Sequence, residues 1–237
     1  MEKGNYRIGI VGGMGPMAGV ALQQLIIENT PAPRDQDHIE VVCFTNPRIP
    51  DRTKSLKEDR GEKFTKAIVD SIQILQKTGV NCILMPCNTA HVRFDQIQKA
   101  VPIPIINIID ATFRELRGLN ALTVGLLATN GTINSKIFDN SKNVKIITPT
   151  SQEQKKVTKI IYQIKSGKYD NKQIASSIDS LIEKLTARGA EAIILGCTEL
   201  SLYFPLLKSN RVVDPLTLLA KEAVDMARTT RFSAVQW

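Results

Sequence analysis

The chain repeats itself. Thr78-Gly79-Val80-Asn81-Cys82-Ile83-Leu84-Met85-Pro86-Cys87-Asn88-Thr89 and Arg188-Gly189-Ala190-Glu191-Ala192-Ile193-Ile194-Leu195-Gly196-Cys197-Thr198-Glu199 stand at a constant offset of 110. Each copy reads as a helix ending at glycine, a short apolar strand, and a cysteine just past that strand. The preceding helices align as well: Ile68 with Ile178, Ile72 with Ile182, Leu75 with Leu185. A second pair begins the two halves, where Ile8–Pro16 matches Val124–Thr132 at an offset of 116. Same order and similar spacing make this a duplicated α/β unit.

The rest of the chain fits that frame. Tyr6–Val11, Ile39–Thr45, Cys82–Met85, Ile103–Ile109, Thr123–Leu127, Val144–Ile147, Ile193–Leu195 and Arg211–Val213 read as strands. Helical spacing covers Ala18–Asn29, Lys63–Lys77, Gln152–Ser166, Asn171–Arg188 and Leu216–Thr229. Apolar strands alternating with helices indicate mostly parallel sheets covered on both faces. The expectation is two similar three-layer α/β/α domains related by a pseudo-twofold, with the active site in the cleft between them. The first spans residues 1–112 plus 209–237 and the second 113–208. Ligands in open α/β sheets bind beyond the carboxyl ends of the strands, which is where the repeated motifs lie. Cys87 and Cys197 then reach one ligand from opposite sides.

Composition removes competing classes. Of 237 residues, 43% are hydrophobic and 23% charged, which is ordinary for a globular chain and excludes disordered and collagen-like ones. No run approaches the roughly 20 apolar residues of a membrane helix, so no membrane partner is expected. Met1–Arg7 lacks the apolar stretch of a secretory signal. The four cysteines form no CxxC pair, which suits free thiols in a reducing cytoplasm. The net charge is +8, with nine lysines against three acids over Lys136–Lys172. Those lysines are interleaved with Ile, Val and Thr, and no arginine-rich or aromatic motif accompanies them. They read as a solvated face, not a nucleic-acid site. Steering of a small acidic substrate is a milder role.

Several residues can carry chemistry. Gly13-x-Gly15-x-x-Ala18, after a strand and before a helix, fits a dinucleotide fingerprint. The next strand ends Phe44-Thr45-Asn46 without the acid that holds ribose, and Pro16 removes an N–H from the turn, so no NAD is expected. The loop is a tight turn, a set of N–H donors for an anion, or both. Cys43 and Cys82 lie within strands and read as core. Cys87 and Cys197 sit at strand ends, where backbone amides lower a thiol's pKa. Two symmetric thiols without metal-like spacing suggest two acid/base groups flanking a carbon, one taking a proton and the other giving one to the opposite face. That operation inverts a stereocentre. In Asn46-Pro47-Arg48-Ile49-Pro50-Asp51-Arg52, Arg48 offers a carboxylate fork, with Asp51 and Arg52 read as surface charge. His91 caps or packs. Lys165, at a helix end, suits the dipole.

Together, Gly12-Gly13-Met14-Gly15-Pro16, Asn46–Arg52, Pro86-Cys87-Asn88-Thr89-Ala90-His91 and Gly196-Cys197-Thr198-Glu199-Leu200 resemble the cofactor-independent aspartate racemases of the aspartate/glutamate/hydantoin racemase superfamily. The resemblance spans nearly the whole chain. Glu199 and the GGMGP loop resemble the aspartate branch; the Asp-Ser-Gly loop and post-Cys-Thr histidine of glutamate racemases are absent. The resemblance implies a two-base racemisation without pyridoxal phosphate, with Cys87 and Cys197 as the bases. It implies that Asn88, Thr89 and Thr198 hold the α-carboxylate, Met14 and Thr129 line the site, Arg48 and Lys165 bind the side-chain carboxylate, and Glu199 is a further substrate-binding residue. It also implies a homodimer. Aspartate is the expected substrate. The alternatives are a broader aspartate/glutamate racemase and a non-catalytic dicarboxylate-binding relative.

Overall fold

The computed structural model describes residues 6–139, 144–167 and 170–233. Its chain order is β1 (Arg7–Gly12), α1 (Pro16–Asn29), β2 (Glu40–Thr45), α2 (Arg52–Glu58), α3 (Glu62–Gln76), β3 (Cys82–Leu84), α4 (Phe94–Lys99), β4 (Ile105–Ile106) and α5 (Ile108–Gly118). The second half follows with β5 (Thr123–Ala128), α6 (Asn130–Asn134), β6 (Lys145–Ile147), α7 (Ser151–Ser166), α8 (Asn171–Ala187), β7 (Ala192–Gly196), α9 (Thr198–Ser201), β8 (Val212–Val213) and α10 (Pro215–Ser233).

The strands form two four-stranded sheets of the same topology, β2-β1-β3-β4 and β6-β5-β7-β8. Every strand pair in them is parallel. The repeat survives in the register: Ile8, Gly9 and Ile10 pair with Cys82, Ile83 and Leu84, as Val124, Gly125 and Leu126 pair with Ala192, Ile193 and Ile194. The two glycines have one steric reason. A Cβ on Gly9 would lie 2.8 Å from Ile83 Cδ1, and one on Gly125 2.6 Å from Ile193 Cδ1.

Alternation along the strands divides the core. Cys82 and Leu84 face a central core, as do Ala192 and Ile194, while Ile83, Ile193 and Leu195 face outer ones. The central core joins strands of both sheets to α1, α5 and α10. The outer cores are closed by amphipathic helices. Phe64, Ile68, Ile72 and Leu75 are the buried stripe of α3, and Ile174, Ile178, Ile182 and Leu185 that of α8. A capping box at Thr150 and Glu153 starts α7, which ends at Gly167 in the left-handed conformation.

Two boundaries differ from expectation. The apolar run Ile103–Ile109 is a strand only at Ile105–Ile106, because Asn107 accepts hydrogen bonds from Ile109 and Asp110 and starts α5 there. The last strand was expected with the first unit; β8 instead pairs with β7, completing the second sheet as β4 completes the first. Helix α10 packs against α1 and α5.

Candidate active site

Each half delivers one cysteine in the same way. Cys87 follows β3 and immediately precedes the 3-10 turn Asn88–Arg93, with φ −160°. Cys197 follows β7 and immediately precedes α9, with φ −136°. Both thiols are 6% exposed and both line one cleft of about 550 Å³, counting the space open at its mouth. Its walls come from the carboxyl ends of β1, β2, β3, β5 and β7 and from α7. Gly13 turns the first of these loops at φ +101°, where a Cβ would overlap the Asn46 backbone.

Hydrogen bonds tie the halves across the cleft. The Thr198 hydroxyl donates to the Pro86 carbonyl at 3.0 Å, joining the Cys197 loop to the residue before Cys87. The hydroxyls of Thr89, Thr129 and Thr132 form a triangle with edges of 3.1, 2.8 and 3.1 Å. His91 braces the Cys87 turn from behind. Its Nδ1 lies 2.9 Å from the Cys87 carbonyl and its Nε2 accepts from Ile108 N–H at 3.4 Å, so Nδ1 carries the proton. Burial pushes the His91 pKa down to about 4, keeping the ring neutral.

The Cys197 side is ionic. Its thiol donates to Glu199 Oε2 at 2.9 Å. Glu199 Oε1 accepts from Gly15 N–H at 3.1 Å and lies 3.6 Å from Lys165 Nζ. The glycine-rich loop therefore does bind an anion, the protein's own Glu199. Burial, then the neighbouring carboxylate, pushes the Cys197 thiol well above its ordinary range. Burial opposes the Lys165 ammonium, but Glu199 and both thiols outweigh it and hold its pKa above the usual lysine range.

Of the residues expected at the site, Met14, Cys87, Asn88, Thr89, Thr129, Lys165, Cys197, Thr198 and Glu199 line the cleft. Arg48 does not: it is exposed and absent from the lining. The arginine in the cleft is Arg52, read from sequence as surface charge. It is 8% exposed, with Nη1 donating to the carbonyls of Ile49 and Pro50 at 3.1 and 2.8 Å. The signal was Asp51, which caps α2 by accepting from Lys54 N–H at 2.9 Å and so fixes Arg52 in the first turn. The α7 wall of Thr158, Ile161 and Tyr162 was also missed. The two carboxamide atoms of Asn88 are buried there without a partner. The cleft thus sets two thiols, two cations, two engaged carboxylates (Asp51 and Glu199) and an open carboxamide around a small volume. That arrangement fits a small zwitterion.

A family model described as Asp/Glu/Hydantoin racemase matches residues 11–223. The chain is 28% identical over 229 residues to the broad specificity amino-acid racemase RacX of Bacillus subtilis (strain 168), covering 92% of this chain and 96% of that protein. The structure of Picrophilus torridus aspartate racemase superposes with a TM-score of 0.80 at 30% identity, over 94% of each chain. That of an aspartate racemase homologue from Pyrococcus horikoshii OT3 gives 0.71 at 25% identity, over 94% of this chain and 99% of the other.

Proposed function

The chain belongs to the Asp/Glu/hydantoin racemase family, and from that premise we propose that it interconverts L- and D-aspartate by two-base proton transfer between Cys87 and Cys197. One observation carries the reading: two thiols from equivalent strand ends line one cleft. The thiolate of one removes the α-proton while the thiol of the other protonates the opposite face. The carbanion is the costly species. Backbone N–H groups at Asn88, Thr89 and Thr198 stabilise it through the α-carboxylate, since each stands at the start of a helical turn with unpaired donors. Burial of the site leaves a thiolate poorly hydrated and hence more basic. Met14 and Thr129 shape the walls. Arg52 and Lys165 favour a second carboxylate, and Arg52 takes the part expected of Arg48.

Proton NMR of L-aspartate in D₂O with reduced enzyme and no added cofactor tests this. Loss of the α-proton signal together with D-aspartate on chiral chromatography is the expected result, and Cys87→Ala and Cys197→Ala each abolish the product. Exchange of glutamate or neutral amino acids in place of aspartate would move the substrate. Binding without any exchange would make this a dicarboxylate-binding relative. The proposed homodimer is tested by sedimentation, where a mass near twice 26.2 kDa supports it and the single-chain mass refutes it.

A further inference from the structure

The two thiols are alike in burial and unlike in company. Cys197 donates to a carboxylate that is itself held at three points: the Cys197 thiol, Gly15 N–H and Lys165 Nζ. Glu199 is 4% exposed, so water does little to screen it. No described side chain hydrogen-bonds the Cys87 thiol; the carboxylate of its loop partner is replaced in the repeat by Thr89, whose hydroxyl is spent on Thr129 and Thr132. The duplication therefore kept the thiols and broke the symmetry of their surroundings at one repeat position, Thr89 against Glu199.

We propose that Glu199 is a positioning residue that makes the two bases unequal, holding Cys197 as the thiol in the resting enzyme so that Cys87 acts first as the base. This rests on the two-base reading above. In the forward step the Cys87 thiolate takes the α-proton and the Cys197 S–H bond gives its proton to the opposite face. Cys87 ends as the thiol and Cys197 as the thiolate, and total charge is unchanged. That thiolate faces Glu199, a like charge, with Lys165 as the nearest neutralising group and Arg52 and Cys87 across the cleft. The product form is thus destabilised by Glu199 and relieved by Lys165, and once product leaves, Cys87 gives its proton to water and the Cys197 thiolate takes one from water, restoring the Cys197 thiol. Burial and the carboxylate both act in that direction on Cys197.

Alkylation by iodoacetamide, followed for each cysteine by peptide mass spectrometry across pH, reads the two thiolates without any turnover. The two cysteines are equally buried as residues. At neutral pH Cys87 is expected to label severalfold faster than Cys197, since the Cys197 thiol is engaged by the buried Glu199 carboxylate. Glu199→Gln removes the like charge and lowers the Cys197 labelling midpoint. Lys165→Met removes the cation and raises it. A merely structural role does not move the midpoint in opposite directions. Equal labelling in the native protein, or a Cys197 midpoint unmoved by both substitutions, overturns the proposal; if Glu199→Gln does not fold, the native and Lys165→Met profiles decide. The α-proton exchange assay separates the two claims. Equal labelling with exchange intact sinks the inequality alone, and unequal labelling without exchange sinks the racemase reading alone.

Discussion

An arginine four residues from another has a different fate because of one capping bond. Asn46 Oδ1 accepts from Arg48 N–H at 3.1 Å, a turn typical of asparagine two residues before, and Arg48 is left in solvent. Asp51 caps the next helix, and Arg52 folds inward onto two carbonyls. A charge-assisted bond to a carboxylate is worth roughly 1.5–3 kcal/mol, or about 10- to 150-fold. Arg52→Ala is therefore expected to lower kcat/KM for aspartate by that range, and Arg48→Ala to leave it within about twofold. Steady-state kinetics on both variants check it. Arg52→Lys separates the roles of charge and fork, recovering part of the loss if charge dominates. Equal damage from Arg48→Ala and Arg52→Ala would remove Arg52 from the specificity wall. The sequence showed both arginines and the Pro-Asp-Arg helix start. It did not show which side chain the turn would aim inward, because that depends on two hydrogen bonds and not on residue type.

At the level of elements, much was legible because strand-end position is set by pattern. The glycine, apolar strand and cysteine order repeats in both halves and survives in the pairing register. What pattern missed lies where a side chain competes with the backbone. Asn107 cut a seven-residue apolar run to a two-residue strand. His91, read as a cap or packing residue, is a brace between the Cys87 turn and the start of α5. That brace has a pH signature. The unfolded imidazole titrates near 6.5 and the folded one near 4, so the unfolded state binds the extra proton. Stability from this residue is fully present above about pH 6.5 and is lost as pH falls toward 4, by up to roughly 3 kcal/mol. Urea unfolding from pH 7 to pH 4 should show that decline, and His91→Gln should flatten it while lowering stability at pH 7. The same slope in both proteins would remove His91 as its source.

On the scale of the whole molecule, two sheets share a central core, yet the proposed two-base transfer needs their strand ends held at fixed separation. The core fixes how the halves face each other. The cleft wall fixes the last few tenths of an ångström, and it does so at points of backbone approach. Gly131 in α6 belongs to the second half and Thr53 in α2 to the first. A Cβ on Gly131 would lie 2.7 Å from Thr53 Oγ1 and 3.1 Å from Thr53 Cα, with Thr89 Cγ2 also at 3.1 Å. The hydroxyl can rotate away; the Cα cannot. Gly131→Ala therefore wedges the halves apart beside the threonine triangle. The thiols stand on opposite halves, so the gap spanned by substrate widens, while the Cys197–Glu199 hydrogen bond lies within the second half and is kept. A misplacement of about 1 Å costs on the order of a hundredfold in rate. The expected result is a fall in kcat of about 10- to 100-fold, with thermal stability lowered only modestly. Enantiomers have equal free energy in water, so kcat/KM must fall equally from the L and D sides. Full activity in Gly131→Ala would mean the halves are free to adjust, and that the separation of the thiols is set by substrate binding instead of by the packed wall.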